Sequence, residues 1–358
     1  MKDALAERLL AAVMQWTSAE IANERPVLQA LAMLKYDEYQ QFSPGMRFVE
    51  SLALWLGQFE SLAERRDAYE FVLNRMVFLS QAEMAHFAAV AYPDIIRPVL
   101  ISHAAKDAQL APFYVSKILG TEEFRRLQDT SFFLGLSDGA RIDLFRRSNK
   151  ELSHEQIFTS YELSTEKLSE IRKRLTDRGH SGSASTLVLL DDFSASGTSC
   201  LSDDQGKAKG KVKRFVERIC SSKEWGDVVS FPATKLLVVL YVATEFALDA
   251  IQKGAQVLHH EHGVDLTVHC VQKLVDGIRI TSAAADKMTS IIETYYDPSA
   301  KDMHPEWGGD VPYGYKECGL PLVLHHNTPN NSLFLLWAED SAKVRPLFPR
   351  ISRHRREA

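Results

Sequence analysis

Leu187-Val188-Leu189-Leu190-Asp191-Asp192-Phe193-Ser194-Ala195-Ser196-Gly197-Thr198-Ser199 is an apolar run that ends in two adjacent acids, followed by small hydroxylated residues around one glycine. A helix-compatible segment comes next. Strand, acids, donor-rich loop and helix in that order build a phosphosugar site. The ligand lies outside the strand's carboxyl end, and backbone N–H groups wrap a phosphate at the next helix's N-terminus. The residue types divide the task. Gly197 permits a sharp turn and a close approach of backbone to an anion. Ser194, Ser196, Thr198 and Ser199 add hydroxyl donors to their amides, and phosphate oxygens only accept. Ionised Asp191 and Asp192 also only accept, so they suit ribose hydroxyls, directly or through Mg²⁺ and its waters. The plain alternative is a turn with an N-cap.

Around this stretch the sequence alternates between strand and helix patterns. Strands are expected over 131–136, 186–190, 235–242 and 266–271, and helices over 153–163, 165–178, 212–221 and 245–253. This order predicts an α/β fold, a parallel sheet flanked by helices. Residues 1–125 differ, with apolar stripes at helical spacing such as Leu5, Leu9, Leu10 and Val13, or Phe48, Leu52 and Trp55. They predict an all-helical N-terminal domain that docks or regulates, and the pattern admits a winged-helix-like element. The expected division is therefore a helical domain 1–125, an α/β domain 126–344 and a basic tail 345–358.

The bulk properties narrow the function classes. With 358 residues, 45% hydrophobic and 25% charged, the chain is ordinary for a globular protein, and its net charge of −5 gives no global pull on nucleic acid. The exception is the tail, where Arg345, Arg350, Arg353, Arg355 and Arg356 cluster with His354. The four cysteines are scattered without C-x-x-C spacing, so neither a zinc site nor a disulfide framework is indicated. No uninterrupted apolar run approaches ~18 residues and the N-terminus lacks a signal-peptide core. A cytoplasmic protein with no membrane partner is expected.

Three other segments carry candidate chemistry. The first predicted strand runs into Ser137, Asp138, Gly139 and Arg141, a small turn with a guanidinium that reads either as a second anion site or as a capped turn. Arg146 and Arg147 follow closely. A strand near Leu322 ends in His325, His326, Asn327, Asn330 and Asn331, whose amide and imidazole groups suit base edges or sugar hydroxyls, with Tyr315 or Trp337 as a stacking partner. An Asn-Pro turn between core strands explains the same residues. Residues 259–262, His-His-Glu-His, lack the H-E-x-x-H spacing and read as a solvated loop. Lys207, Lys209, Lys211 and Lys213 read as a mobile exposed loop, which would screen substrate charge if it closed over the phosphate loop.

The strand, acid pair and Ser196-Gly197-Thr198-Ser199 resemble the phosphoribosyl-diphosphate (PRPP) loop of type I phosphoribosyltransferases, with serines at 196 and 199 where the family pattern has threonines. Together with Gly135 to Asp143 and His325 to Trp337, they resemble the phosphoribosyltransferase-like proteins of bacterial anti-phage conflict systems, some encoded in retron operons. The resemblance implies a Mg²⁺-dependent glycosyltransferase-class enzyme acting on PRPP or a related nucleotide. It implies that Asp191 and Asp192 hold the ribose and Mg²⁺, that residues Ser194, Ala195, Ser196, Gly197, Thr198 and Ser199 take the 5′-phosphate, and that Ser137, Asp138, Gly139 and Arg141 cradle the pyrophosphate. Arg141 would assist the leaving group as a catalytic residue. Expected partners are the nucleotide substrate and a defence-system protein or a reverse transcriptase with its non-coding RNA. The alternative, a sensor that binds a phosphosugar without chemistry and docks a partner through the helical domain, rests on the same residues.

Overall fold

The computed structural model describes residues 3–42, 45–283, 286–298, 312–338 and 344–351. Two compact units divide the chain, one made of Met1–Glu83 with Gly277–Ala358 and the other of Met84–Asp276. The strands are β1 (Val77–Leu79), β2 (Ser131–Gly135), β3 (Ile157–Phe158), β4 (Thr186–Ser194), β5 (Ser202–Asp204), β6 (Lys207–Lys209), β7 (Lys235–Thr244), β8 (Leu266–Leu274) and β9 (Leu322–Leu324).

In the Met84–Asp276 unit, five strands form one sheet in the order β3-β2-β4-β7-β8, and every pairing is parallel. A parallel sheet is covered on both faces, which is why β4 and β7 are apolar almost without interruption. On one face Phe132, Leu134, Leu187, Leu189, Val238 and Leu240 pack with Leu168, Ile171 and Leu175 of helix Thr165–Asp177. Val212, Phe215 and Val216 of helix Lys211–Ser221 join the same cluster. On the other face Tyr92 meets Phe133 edge-on at 6.0 Å and takes a hydrogen bond from Gln128 Nε2 at 3.0 Å. Tyr92 belongs to the run Gln81–Asp107, which by length and composition alone is apolar enough to cross a membrane. Its Ala88, Ala91, Tyr92, Ile96 and Leu100 are buried within the fold. The first strand of the sheet, β2, has β3 on one side and β4 on the other. The chain therefore reverses its direction of winding there, and ligand crevices open at such switch points.

The expected α/β class is present, with several elements changed in type. Residues 153–163, expected as helix, are a single 3-10 turn (His154–Gln156) followed by β3. Gln156 Nε2 donates to the carbonyls of Gln128 and Ser131, both at 2.7 Å, and so ties the turn to β2. Pairing with β2 then outweighs the local helical pattern. Residues 259–262, expected as a loop, are the last turn of helix Glu245–His262, which Gly263 ends in the left-handed conformation.

The other unit packs helices Asp3–Met14, Ser18–Leu34, Phe48–Leu56 and Leu62–Asn74 around a core that includes Leu10, Phe48, Leu52, Trp55 and Phe59. Its helical pattern is interrupted by β1, which pairs in parallel with β9 (Val77↔Leu322). Neither unit boundary falls at 125 or 344. Residues 344–351 are not a loose tail, because Phe348 is buried among Tyr36, Tyr39, Phe42 and Phe48, at 5.1 Å from Tyr39. Ser51 Oγ donates to Leu347 O at 2.6 Å and Tyr39 OH to Pro349 O at 2.7 Å. Arg353, His354, Arg355 and Arg356 lie outside the described residues.

Candidate active site

Both acids lie within β4, whose two-residue period sends them to opposite faces. Asp191 shares the face of Leu187 and Leu189 and is 6% exposed. Its Oδ1 takes the hydroxyl of Ser137 and the N–H of Asp192 (3.1 Å), while Oδ2 lies 3.6 Å from Lys211 Nζ. Asp192 shares the face of Val188 and Leu190, and its Oδ1 accepts from the Phe193 N–H at 2.8 Å. Gly139 lies directly over it, since a Cβ at that position would come within 2.3 Å of Asp192 Oδ2. The turn bearing Gly139 is held by Ser137 Oγ, which accepts from Gly139 N–H at 3.2 Å, and by buried Tyr241, whose hydroxyl donates to Ala140 O at 2.7 Å.

Next in the chain, Arg141 sits in the left-handed region at φ 48° and ψ 42°. A non-glycine residue there costs on the order of 1–3 kcal/mol, and such strain concentrates at functional sites. The charges of this crevice are unbalanced. Burial and then the charge of Asp192 raise the Asp191 carboxyl from 3.8 to about 6, against Lys211 and Ser137, which lower it. Burial also raises Asp192, opposed by the Phe193 amide and, more weakly, by the Arg141 charge.

Beyond β4 the chain turns through residues 195–199. Gly197 has φ +75°, and a Cβ there would meet Ala250 Cβ at 2.9 Å and Ala247 O at 3.0 Å. The close packing of helix Glu245–His262 therefore requires glycine, in addition to the turn itself. Thr244 Oγ1 caps that helix and donates to Ala195 O at 2.6 Å, while Cys200 and Leu201 N–H both donate to Gly197 O. Among the described residues, the N–H groups of Ser196, Gly197, Thr198 and Ser199 have no acceptor. The same holds for the hydroxyls of Ser194, Ser196, Thr198 and Ser199. Gly197 is buried, Ser196 and Thr198 are half-buried and Ser199 is exposed, so these donors are open to water or to an anion.

The expected helix does not follow at once. The hairpin β5–β6 intervenes, turning at Gln205 and Gly206, and helix Lys211–Ser221 begins after Gly210. The hairpin returns the chain to its starting point, because Lys211 N–H donates to Ser199 O (3.0 Å) and Val212 N–H to Cys200 O (3.1 Å). Those bonds occupy the first helical amides. The open donors are therefore in the loop rather than at the helix end.

The PRTase-CE family model matches residues 52–350, a span that contains the nine strands of the described residues and both loops of the crevice. The chain belongs to the PRTase-CE family. This is a phosphoribosyltransferase-like family associated with conflict systems, as the sequence resemblance implies. No curated protein and no solved structure matches the chain.

Within this PRTase-CE member, the structure brings together Ser137, Asp138, Gly139 and Arg141 with Asp191, Asp192 and the loop 194–199. The five residues expected to read the substrate, His325, His326, Asn327, Asn330 and Asn331, belong to the other unit. There Asn327 binds the backbone of Ile351 through Nδ2 (3.1 Å) and Oδ1 (3.2 Å), and Asn331 Nδ2 donates to Tyr315 O at 3.1 Å. Tyr315 and Trp337, expected to stack on a base, are buried at 8% and 4% exposure, and Trp337 Nε1 donates to Ser332 O. Arg146 supports β3, donating to Ile157 O at 2.8 Å. Sequence reasoning did not single out Tyr241 and Thr244, and it placed Lys211 in an exposed loop that reaches the phosphate only on closing. Lys211 had a signal: it follows Gly210 at a helix start. Tyr241, inside an apolar run, had none.

A hard cation fits the acid pair. The donors are all oxygen, and among the described residues no three His, Cys, Asp or Glu side chains are grouped to cage a metal. Oxygen donors are the type Mg²⁺ takes, and Asp191 and Asp192 are the residues that would hold it.

Proposed function

We propose that this protein is a Mg²⁺-dependent phosphoribosyltransferase-like enzyme that acts at the anomeric carbon of PRPP or a related nucleotide, as an effector of bacterial anti-phage defence in the cytoplasm. One observation carries the reading: an acid pair, Asp191 buried and Asp192 half-buried, stands beside a row of unused backbone donors at the sheet's switch point. Asp191 and Asp192 orient the ribose hydroxyls, and the donors of loop 194–199 hold the 5′-phosphate. Arg141, in the turn above Asp192, faces the leaving group. The C1–O bond to the leaving group breaks with its electrons going to that oxygen, and an acceptor or water supplies the pair for the new bond at C1. The residues supply orientation and charge, the terms that matter most for a cation-like transition state. Asp191 and Asp192 would hold Mg²⁺, which would supply neutralisation of the charge that develops on pyrophosphate.

Phosphorus NMR of the protein with Mg²⁺ and PRPP, alone and with pooled nucleobases and nucleotides, tests this. Pyrophosphate release that is lost in Asp191→Asn/Asp192→Asn supports the enzyme. Equal turnover by the double variant rejects it. Broadened ligand signals without turnover, seen only with wild type, favour the sensor.

A further inference from the structure

The lysine run has an outcome that neither the resemblance nor the acid pair explains. Lys209 pairs with Asp204 at 3.7 Å and Lys213 with Glu217 at 3.3 Å, both on the surface. Lys211 differs in its partner, since the acid nearest its ammonium is Asp191 of the crevice. The Lys211 side chain is 21% exposed, and Nζ lies 3.6 Å from Asp191 Oδ2, too far for a hydrogen bond. Among the described residues this ammonium donates to no acceptor, so its three N–H groups are open.

The fold fixes that position from both sides. Gly210 has φ +121°, and a Cβ there would fall 2.5 Å from Cys200 O, so only glycine lets the chain pass and begin the helix at Lys211. The hairpin is held away from the crevice, with Ala208 N–H donating to Glu261 Oε1 at 3.1 Å and Gly254 lying against Leu201 and Ser202. Lys211 N–H is bonded to Ser199 O, which places the residue at the end of the open-donor loop. A phosphomonoester on four neutral amides beside two carboxylates needs a counter-charge. Arg141 lies with Asp192, on the other face of β4.

We propose that Lys211 is the phosphate-binding cation of this site, its ammonium linking Asp191 to the 5′-phosphate seated on loop 196–199. The assignment rests on the phosphosugar reading given above. Titration calorimetry with ribose 5-phosphate and with inorganic phosphate tests it. Lys211→Met should weaken ribose 5-phosphate binding by at least about tenfold, the size of one hydrogen bond to a charged group. Lys211→Arg should restore it to within about threefold, and Lys213→Met should leave it unchanged.

Wild-type affinity in Lys211→Met overturns the assignment alone. Failure of the wild type to bind either probe, or PRPP, overturns the phosphosugar reading and this assignment with it. Should Lys211→Met not fold, wild type with ¹³C-dimethylated lysines decides the matter. The methyl resonance missing from Lys211→Arg must shift on adding ribose 5-phosphate, and an unmoved resonance rejects the role.

Discussion

The hydroxyl of Ser137, just past the end of β2, donates to Asp191 Oδ1 in the last half of β4. One hydrogen bond thus joins the two strands at which the sheet changes its winding direction.

Ser137→Ala should leave that oxygen with the Asp192 amide as its remaining donor. A hydrogen bond to a charged group contributes about 1.5–3 kcal/mol, so a melting temperature lower by several degrees is expected. PRPP binding should weaken as well. An unchanged melting curve with unchanged binding would show the contact to be idle.

The acid pair sets a pH dependence. Asp191 is raised from 3.8 to about 6 in the folded state, so the native protein holds a proton over that window that the unfolded chain has lost. Its contribution favours folding at low pH and is lost as pH rises through about 6. Asp192→Asn removes the repulsion, so its stabilisation relative to wild type should grow between pH 4 and 6 and level off above 7. Chemical denaturation across that range checks this, and a pH-independent difference contradicts it.

Gly139 and Gly206 form a matched pair for substitution. Gly139→Ala drives a methyl group into the Asp192 carboxylate, whereas Gly206→Ala at φ +82° meets open space. Overpacking typically costs about 1–3 kcal/mol. Gly139→Ala should lose PRPP binding and stability together, while Gly206→Ala should lose only the smaller stability increment of a left-handed residue and keep its affinity. Equal affinity in the two variants would remove Gly139 from the site.

Mg²⁺ should stabilise the protein only when the acids are ionised, since a metal competes with protons for its ligands. The rise in melting temperature on adding MgCl₂ should therefore be larger at pH 8 than at pH 5, and absent in Asp191→Asn/Asp192→Asn. An equal rise in that variant would place the ion elsewhere.

The sheet was legible because burial on both faces leaves unbroken apolar runs such as 187–190 and 236–240, which no local ambiguity hides. The acids and Gly197 were legible for a similar reason: their types and spacing are unusual after such a run. Elements that depend on distant partners were not. The pattern around Ile157 reads locally as helix and becomes strand only through β2, and Val77–Leu79 is a strand only because Leu322–Leu324 returns to pair with it. Phe348, in an arginine-rich terminus, gives no sign of the aromatic cluster that encloses it. Lys211 was read as part of a charged loop, because a linear run of lysines does not show which one meets the crevice acid.

The hairpin between Ser199 and Lys211 closes at its own base, where the Lys211 amide meets the Ser199 carbonyl. What hangs from that clasp does not set the spacing between anion loop and helix. Although its strands are fastened to helix Glu245–His262, the exposed tip at Gln205 and Gly206 is a natural graft point for a reporter sequence that would leave the crevice undisturbed.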